Sequence, residues 1–177
     1  MSLLERLSAA KRTPAVDWNA VYAQELTRVY NYFRYRVGDD ALAEDLTSAT
    51  FEKAWRSRKH YAEDLGAFST WLFTIARNTA TDHFRRRRDT VSLDAIAEPV
   101  GEPGVESLIQ HRQAVDRLGE LLETLSPRDR ELAAMKYGGD LTNRKIAELT
   151  GLSESNVGTI LYRLVRKLRE QWEGDAL

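Results

Sequence analysis

Apolar residues recur at helical spacing along almost the whole chain, and the pattern fails once, in the middle. Trp18, Val21, Tyr22, Leu26, Val29, Tyr30 and Phe33 follow one another at three and four residues, as one face of an α-helix requires. Phe68, Trp71, Leu72, Ile75, Ala76 and Thr79 repeat the spacing, as do Ala114, Val115, Leu118, Leu121, Leu122 and Leu125. Val157, Ile160, Leu161, Leu164 and Leu168 form a further stripe, the seam of an amphipathic helix packed on a core. No segment alternates with the period of a strand. Between Asp89 and Gly104 periodicity collapses, and Pro99, Gly101, Pro103 and Gly104 crowd among acids, a composition that suits a linker. The chain is therefore expected to be all-α, with two small helical domains joined by a flexible acidic linker. The boundaries expected are a mobile lead-in over 1–16, a first domain over 17–88, the linker over 89–111 and a second domain over 112–172. Domains this small bury modest cores and are expected to lean on partners.

Local chemistry punctuates the helices. Gly38 ends the first, and Asp39 or Asp40 caps the next by accepting backbone N–H bonds. The second helix is expected from Ala41 to Arg58, with a stripe of Leu42, Leu46, Ala49, Thr50, Lys53, Ala54 and Trp55. A loop over residues 60–67 and a third helix from Phe68 to Arg88 follow. Ser126-Pro127-Arg128-Asp129 reads as a helix start, with Ser as cap and Pro in the first turn, and Gly138-Gly139 as that helix's stop. Thr142 and Ser153 cap the last two helices, with Gly151 in a tight turn between them.

The formal net charge of −1 conceals an asymmetry: residues 1–88 carry a net of +4, residues 89–111 a net of −5, and residues 112–177 a net of 0. The chain has no cysteine, which excludes disulfides and cysteine-ligated metal. His60, His83 and His111 show no ligand spacing. No apolar run is long enough to span a bilayer and the first residues lack a signal core, so a cytoplasmic protein is expected. No phosphate loop, nucleophile elbow or zinc-helix motif is present, so no catalytic residue, metal or cofactor is expected. Glu44 and Asp45 are adjacent and do not face each other on a helix. They suit the positive end of a helix or a basic partner.

The segment Thr142–Arg169 has the form of a helix-turn-helix. Its outer positions, Ser155, Asn156, Thr159, Tyr162, Arg163, Arg166 and Lys167, carry groups that bond bases or phosphates, or else form the solvated face of an ordinary hairpin. The run Arg85–Arg88 beside Trp71, Phe73 and Phe84 suits a polyanion with unpaired bases. Otherwise Trp71 is core, and the arginines complement a helix C-terminus.

These pieces resemble a known family. Ala43-Glu-Asp-Leu-Thr-Ser-Ala-Thr-Phe-Glu-Lys-Ala-Trp55 is similar to the polymerase-binding helix of sigma factor region 2. Phe68-Ser-Thr-Trp-Leu-Phe-Thr-Ile-Ala-Arg-Asn-Thr-Ala-Thr-Asp-His-Phe-Arg85 is similar to that region's melting and −10-reading helix. Leu125-Ser-Pro-Arg-Asp-Arg-Glu131, with Leu141-Thr-Asn-Arg-Lys-Ile-Ala-Glu-Leu-Thr-Gly-Leu-Ser153, resembles region 4. Order and short length point to the extracytoplasmic-function (ECF) group. The resemblance implies an alternative sigma factor with no catalysis of its own. Glu44, Asp45, Ser48, Glu52 and Lys53 would contact core RNA polymerase, at the β′ clamp helices, with further contact to the β subunit. His60, Ser69, Trp71, Arg77, Asn78, Asp82, Arg85, Arg86, Arg87 and Arg88 would open the −10 element and hold its non-template strand. Arg144, Ser153, Ser155, Asn156, Thr159, Tyr162, Arg163, Arg166 and Lys167 would engage the −35 duplex. The linker, with Asp94, Glu98 and Glu102, would thread the polymerase cleft, and an anti-sigma factor is a typical partner of the group.

This chain departs from the family pattern. Gly158 and Ile160 stand where many members carry Lys and Arg, Lys145 stands where Glu is usual, and Ser48-Ala49 replaces a common Gln-Glu. A residue without a side chain at 158 would let the DNA backbone approach closely. The other readings are a stand-alone helix-turn-helix regulator and a helical adaptor that binds only protein. In the free protein the basic end of the first domain and the acidic linker are expected to hold the two domains together.

Overall fold

The computed structural model describes residues 17–61, 68–90 and 106–174. The first domain is built on α1 (Trp18–Val37), α2 (Asp40–Ser57) and α3 (Phe68–Thr90), with a 3-10 turn, Arg58–His60, closing α2. α1 and α2 each start on a polar cap, that of α2 being one of the two aspartates expected there. The Asp17 carboxylate accepts from the backbone N–H groups of Asn19 and Ala20 at 3.0 and 3.2 Å, and Asp39 accepts from Leu42 at 2.6 Å, so groups that no helical carbonyl reaches are satisfied. α1 ends on Gly38 at φ 76°, a left-handed conformation that suits a residue without Cβ.

Val29, Tyr32 and Phe33 of α1 meet Ala43, Leu46 and Ala54 of α2 and Leu72, Phe73, Ala76 and Ala80 of α3 in the core. The buried face of α2 keeps Leu46, Thr50 and Ala54 of the expected stripe but is turned toward Ala43 and Thr47. It comprises Ala43, Leu46, Thr47, Thr50 and Ala54, while Lys53 points out and Trp55 is 50% exposed. Two threonines are tolerated inside because their hydroxyls donate to the carbonyls of Ala43 and Leu46 at 2.6 and 2.7 Å, leaving no unpaired buried donor.

The second domain contains α4 (Glu106–Glu123), α5 (Pro127–Ala133), α6 (Asn143–Thr150) and α7 (Glu154–Gly174). Its first helix begins inside the span 89–111 expected to be linker, and α3 ends two residues into it. The central linker residues, 91–105, lie outside the described ones, as do 1–16 and 62–67. Ser126 Oγ accepts from the Asp129 N–H at 3.1 Å, with Pro127 in the first turn. The helical run that α5 begins ends at Gly138, where a stop was expected, but not as a plain α-helix. It widens into a π turn, Ala134–Gly138, in which the Gly139 N–H reaches back to the Ala134 carbonyl at 2.8 Å.

The two domains share one core. Leu132, Met135, Leu141, Ile146, Val157 and Leu161 are continuous with the apolar residues of α1 and α3. The π turn lies directly on α1. A Cβ on Gly138 would fall 2.6 Å from the Asn31 carbonyl oxygen, and one on Gly139 would fall 2.6 Å from the Phe73 ring. Gly139 has an ordinary right-handed backbone (φ −81°), and only Gly38 and Gly151 among the described glycines have positive φ. Glycine stands at 138 because backbone meets backbone there, and at 139 because the Phe73 ring lies against it. The domains meet through α1 and α3 on one side and α5, the π turn and α6 on the other, while the acidic linker expected to hold them together lies outside the described residues.

Candidate nucleic-acid interface

α2 presents Glu44, Asp45, Ser48, Glu52 and Lys53 to solvent on one side of the first domain. Beside them, a depression of about 420 Å³ between α1 and α2 is lined by Leu26, Thr27, Tyr30, Glu44, Thr47 and Ser48. Burial and the neighbouring Asp40 charge push the Tyr30 hydroxyl above its ordinary pKa, so it is a neutral hydrogen-bonding group there. Lys53 does not stand alone. It donates to Thr79 Oγ1 at 3.1 Å and lies 3.7 Å from Asp82, and Asp82 also accepts from Arg85 at 3.0 Å.

On α3, Asn78, Arg85, Arg86 and Arg87 are exposed and Asp82 is half-buried. The side chains of His60 and Arg88 lie outside the described residues. Trp71 is not an open stacking surface. It packs in an aromatic cluster with Trp18, Tyr61 and Phe68, ring centroids 5.2 to 6.3 Å apart, an edge-and-tilt geometry favoured by ring quadrupoles. The accessible ring of this cluster is Trp55, set edge-on to Trp18 at 5.6 Å, with the Arg58 guanidinium 4.0 Å over its face. The exchange has a local cause: Trp55 sits one position past the buried Ala54.

Ser69 and Arg77 face the second domain. Ser69 is buried, and its hydroxyl accepts from Lys145 Nζ at 2.6 Å. Arg77 Nε pairs with Glu131 at 2.9 Å, and Nη1 donates to the Leu149 carbonyl at 2.5 Å. Further along α3, burial and the Arg87 charge hold the His83 imidazole below its ordinary pKa, and its Nε2 is buried without a partner.

α6 and α7 form the helix-turn-helix. Thr142 Oγ1 accepts from the Lys145 N–H at 3.3 Å, Gly151 turns the chain at φ 73°, and Ser153 Oγ accepts from the Asn156 N–H at 3.2 Å. Val157, Leu161 and Leu164 are buried, which turns the opposite face outward. Arg144, Ser153, Ser155, Asn156, Thr159, Tyr162, Arg163, Arg166 and Lys167 are all exposed, Tyr162 to 70%. Arg144 and Arg166 make surface pairs with Glu148 and Glu170 at 3.5 and 3.4 Å, weak contacts that a phosphate can replace. Ile160 packs against the core. A Cβ at Gly158 would meet Asn143 Nδ2 at 3.5 Å, so this glycine faces α6 and does not clear a path for DNA.

Sequence reasoning did not single out Gly138, Gly139, Glu131 or Arg28 as meeting places of the two domains. Lys145 was visible only as a departure from pattern. Among the described residues, no group of His, Cys, Asp and Glu is placed to hold a metal, and no helix is long and apolar enough to cross a membrane.

A helical unit with an exposed acidic face and a cationic helix end, followed by a helix-turn-helix with a polar and basic outer face, defines a two-domain transcription factor. Family models agree: residues 21–90 match sigma-70 region 2, and residues 116–168 match sigma-70 region 4. The ECF RNA polymerase sigma factor BldN of Streptomyces coelicolor is 31% identical over 99% of this chain and 67% of its own length. The RNA polymerase sigma factor CarQ of Myxococcus xanthus is 32% identical over 85% of this chain and 86% of its own. The fold is shared with the sigma factor RpoE solved in complex with the anti-sigma factor NepR from Bartonella quintana, with a TM-score of 0.69 at 21% identity over 89% of this chain and 97% of that one. The chain belongs to the ECF group of the sigma-70 family.

Proposed function

We propose that this chain is an alternative sigma factor that binds core RNA polymerase in the cytoplasm and directs it to a particular set of promoters. It acts as a specificity subunit and leaves the chemistry to the polymerase. The observation that carries the reading is the presence, on the two family-matched domains, of two separate exposed faces of different chemistry. Glu44, Asp45, Ser48, Glu52 and Lys53 form a mainly acidic face on α2, suited to the β′ clamp helices, and the depression beside Glu44 and Ser48 can seat a side chain from them. The β subunit would take further contact. The outer face of α7 is cationic and hydroxyl-rich. Arg163, Arg166 and Lys167 sit late in the helix and would hold the −35 backbone, while Ser155, Asn156 and Thr159 nearer its N-terminus reach base edges.

The −10 strand would lie along α3, with Asn78, Asp82 and the Arg85–Arg88 run on its outer side, His60 at its entrance and Trp71 supporting the aromatic cluster. Ser69 and Arg77 join that set once the second domain moves away. An anti-sigma factor is the partner expected to hold the protein inactive.

Co-elution with purified core polymerase tests this. The wild-type chain should form a stoichiometric complex, the Glu44→Lys/Asp45→Lys variant should bind at least about tenfold more weakly, and Arg163→Ala/Arg166→Ala should bind core normally but fail to start transcription. A wild-type chain that ignores core while binding duplex DNA would instead be a stand-alone regulator.

A further inference from the structure

We infer that α7 selects neighbouring A·T pairs and rejects guanine: Asn156 holds an adenine edge, the Thr159 methyl packs on the methyl of the adjacent thymine, and Glu154 turns guanine away. The inference rests on the reading of α7 as the −35 face and names the bases that face selects.

Cations are absent where bases are read. A helix in the major groove contacts base edges through its N-terminal residues. Guanine offers only acceptors there, N7 and O6, and their common partner is a bidentate Arg or Lys. None of residues 154–162 is Lys or Arg, whereas Arg163, Arg166, Lys167 and Arg169 follow directly. Arg163 stands about 10 Å further along the helix axis than Asn156. The cations therefore meet the groove wall and its phosphates, which position the helix without reading sequence.

The groups that remain at the start of α7 have a definite chemistry. Asn156 is exposed, and its amide carries a donor and an acceptor, the pair that matches N7 and N6 of adenine. Thr159 is exposed too, but its Oγ1 donates to the Ser155 carbonyl at 3.0 Å. With that proton spent along the helix, it has none for the acceptors of a base, while its methyl suits the C5-methyl of thymine. Ser153 Oγ is likewise engaged, accepting from the Asn156 N–H at 3.2 Å. Exposed Glu154 presents only acceptors when ionised. Set against guanine it would oppose acceptor to acceptor, whereas the amino groups of adenine and cytosine can donate to it. Asn156 and Thr159 lie about 4.5 Å apart along the axis, close to one base-pair step of about 3.4 Å, so they address neighbouring pairs.

Promoter fragments randomised through the −35 region, selected by the full chain alone and by the chain on core polymerase, test this. Recovered fragments should share neighbouring A·T pairs at a fixed place. Asn156→Ala should relax the adenine position about tenfold, and an adenine analogue lacking N7 should weaken the wild-type chain but not that variant. Deoxyuridine in place of thymine removes only the methyl. It should weaken the wild-type chain about fourfold and leave Thr159→Ser, which keeps the hydroxyl, unaffected. Glu154→Gln should admit guanine at its position; a lower denaturation midpoint with unchanged selection would assign Glu154 to the helix dipole alone and remove it from the reading set. Guanine recovered opposite Asn156, or a preference unchanged in Asn156→Ala and Thr159→Ser, would overturn the inference. So would a complex that starts transcription but selects other bases, and that result would leave the sigma-factor reading standing. A chain that ignores core yet selects neighbouring A·T pairs would keep the base reading and remove the sigma-factor one. No selection in either form would overturn the inference.

Discussion

Gly138 and Gly158 show how little residue type says without its surroundings. Both sit within helical segments, yet a Cβ at 138 would strike main chain at 2.6 Å while one at 158 would make ordinary contact with Asn143 at 3.5 Å. Gly158→Ala should therefore stabilise the protein by about 0.5–1 kcal/mol, since alanine restricts the unfolded chain and suits a helix. Gly138→Ala should cost about 1–3 kcal/mol through overpacking. Urea midpoints of the two variants check the opposite signs. His83 carries a pH dependence of definite direction. Its folded pKa lies below the ordinary 6.5, so below that value the unfolded chain takes up a proton that the folded chain resists. Stability is therefore complete above the ordinary value and falls as pH drops toward the folded one. The melting temperature should fall as pH is lowered through the ordinary value of 6.5, and His83→Gln should flatten that slope. A slope unchanged in the variant would assign the effect to other groups.

At the scale of elements the sequence was most legible where structure is decided locally. Asp39, Ser126, Thr142 and Ser153 all cap the helices they were expected to cap, because a hydroxyl or carboxylate three residues before an amide needs nothing from the rest of the chain. Ser126→Ala should cost about 1 kcal/mol, read as a lower denaturation midpoint. The stripe on α7 was legible for the same reason, and its outer face follows from it. If Arg163, Arg166 and Lys167 touch phosphates, replacing all three with alanine should flatten the salt dependence of duplex binding by roughly 0.9 in log–log slope per contact. The two-fold choice on α2 was harder. Leu46, Thr50 and Ala54 were legible, but Leu42, Lys53 and Trp55 suggested a stripe turned away from the Ala43 and Thr47 that are buried, since threonine can satisfy its hydroxyl within the helix. The π turn was hidden because a wide turn and a helix stop share the same glycines.

For the whole molecule, periodicity and motif order led to two helical domains and to the sigma-70 family, and the described helices follow that plan. What did not show in the sequence is how the domains meet. Arg77 and Glu131 are 54 residues apart in sequence, and Arg28 and Gly139 are 111 apart. No local pattern links such pairs, and each residue alone resembles a surface charge or a turn. The same packing explains why, within a family-like motif, Ser69 is buried and Arg77 is paired with Glu131 of the second domain. The acidic stretch between the domains, expected to act in the polymerase cleft, remains open to substitution at Asp94, Glu98 and Glu102, where neutralisation should alter start-site use.

The most direct measurement is single-round transcription from genomic DNA fragments with purified core polymerase, with and without this chain. Addition of the chain should create discrete start sites that core alone does not use, each preceded by a shared pair of elements, and the Glu44→Lys/Asp45→Lys variant should abolish them. If no new start sites appear although the folded chain is present in excess, this protein does not direct initiation, and its two exposed faces serve another partner.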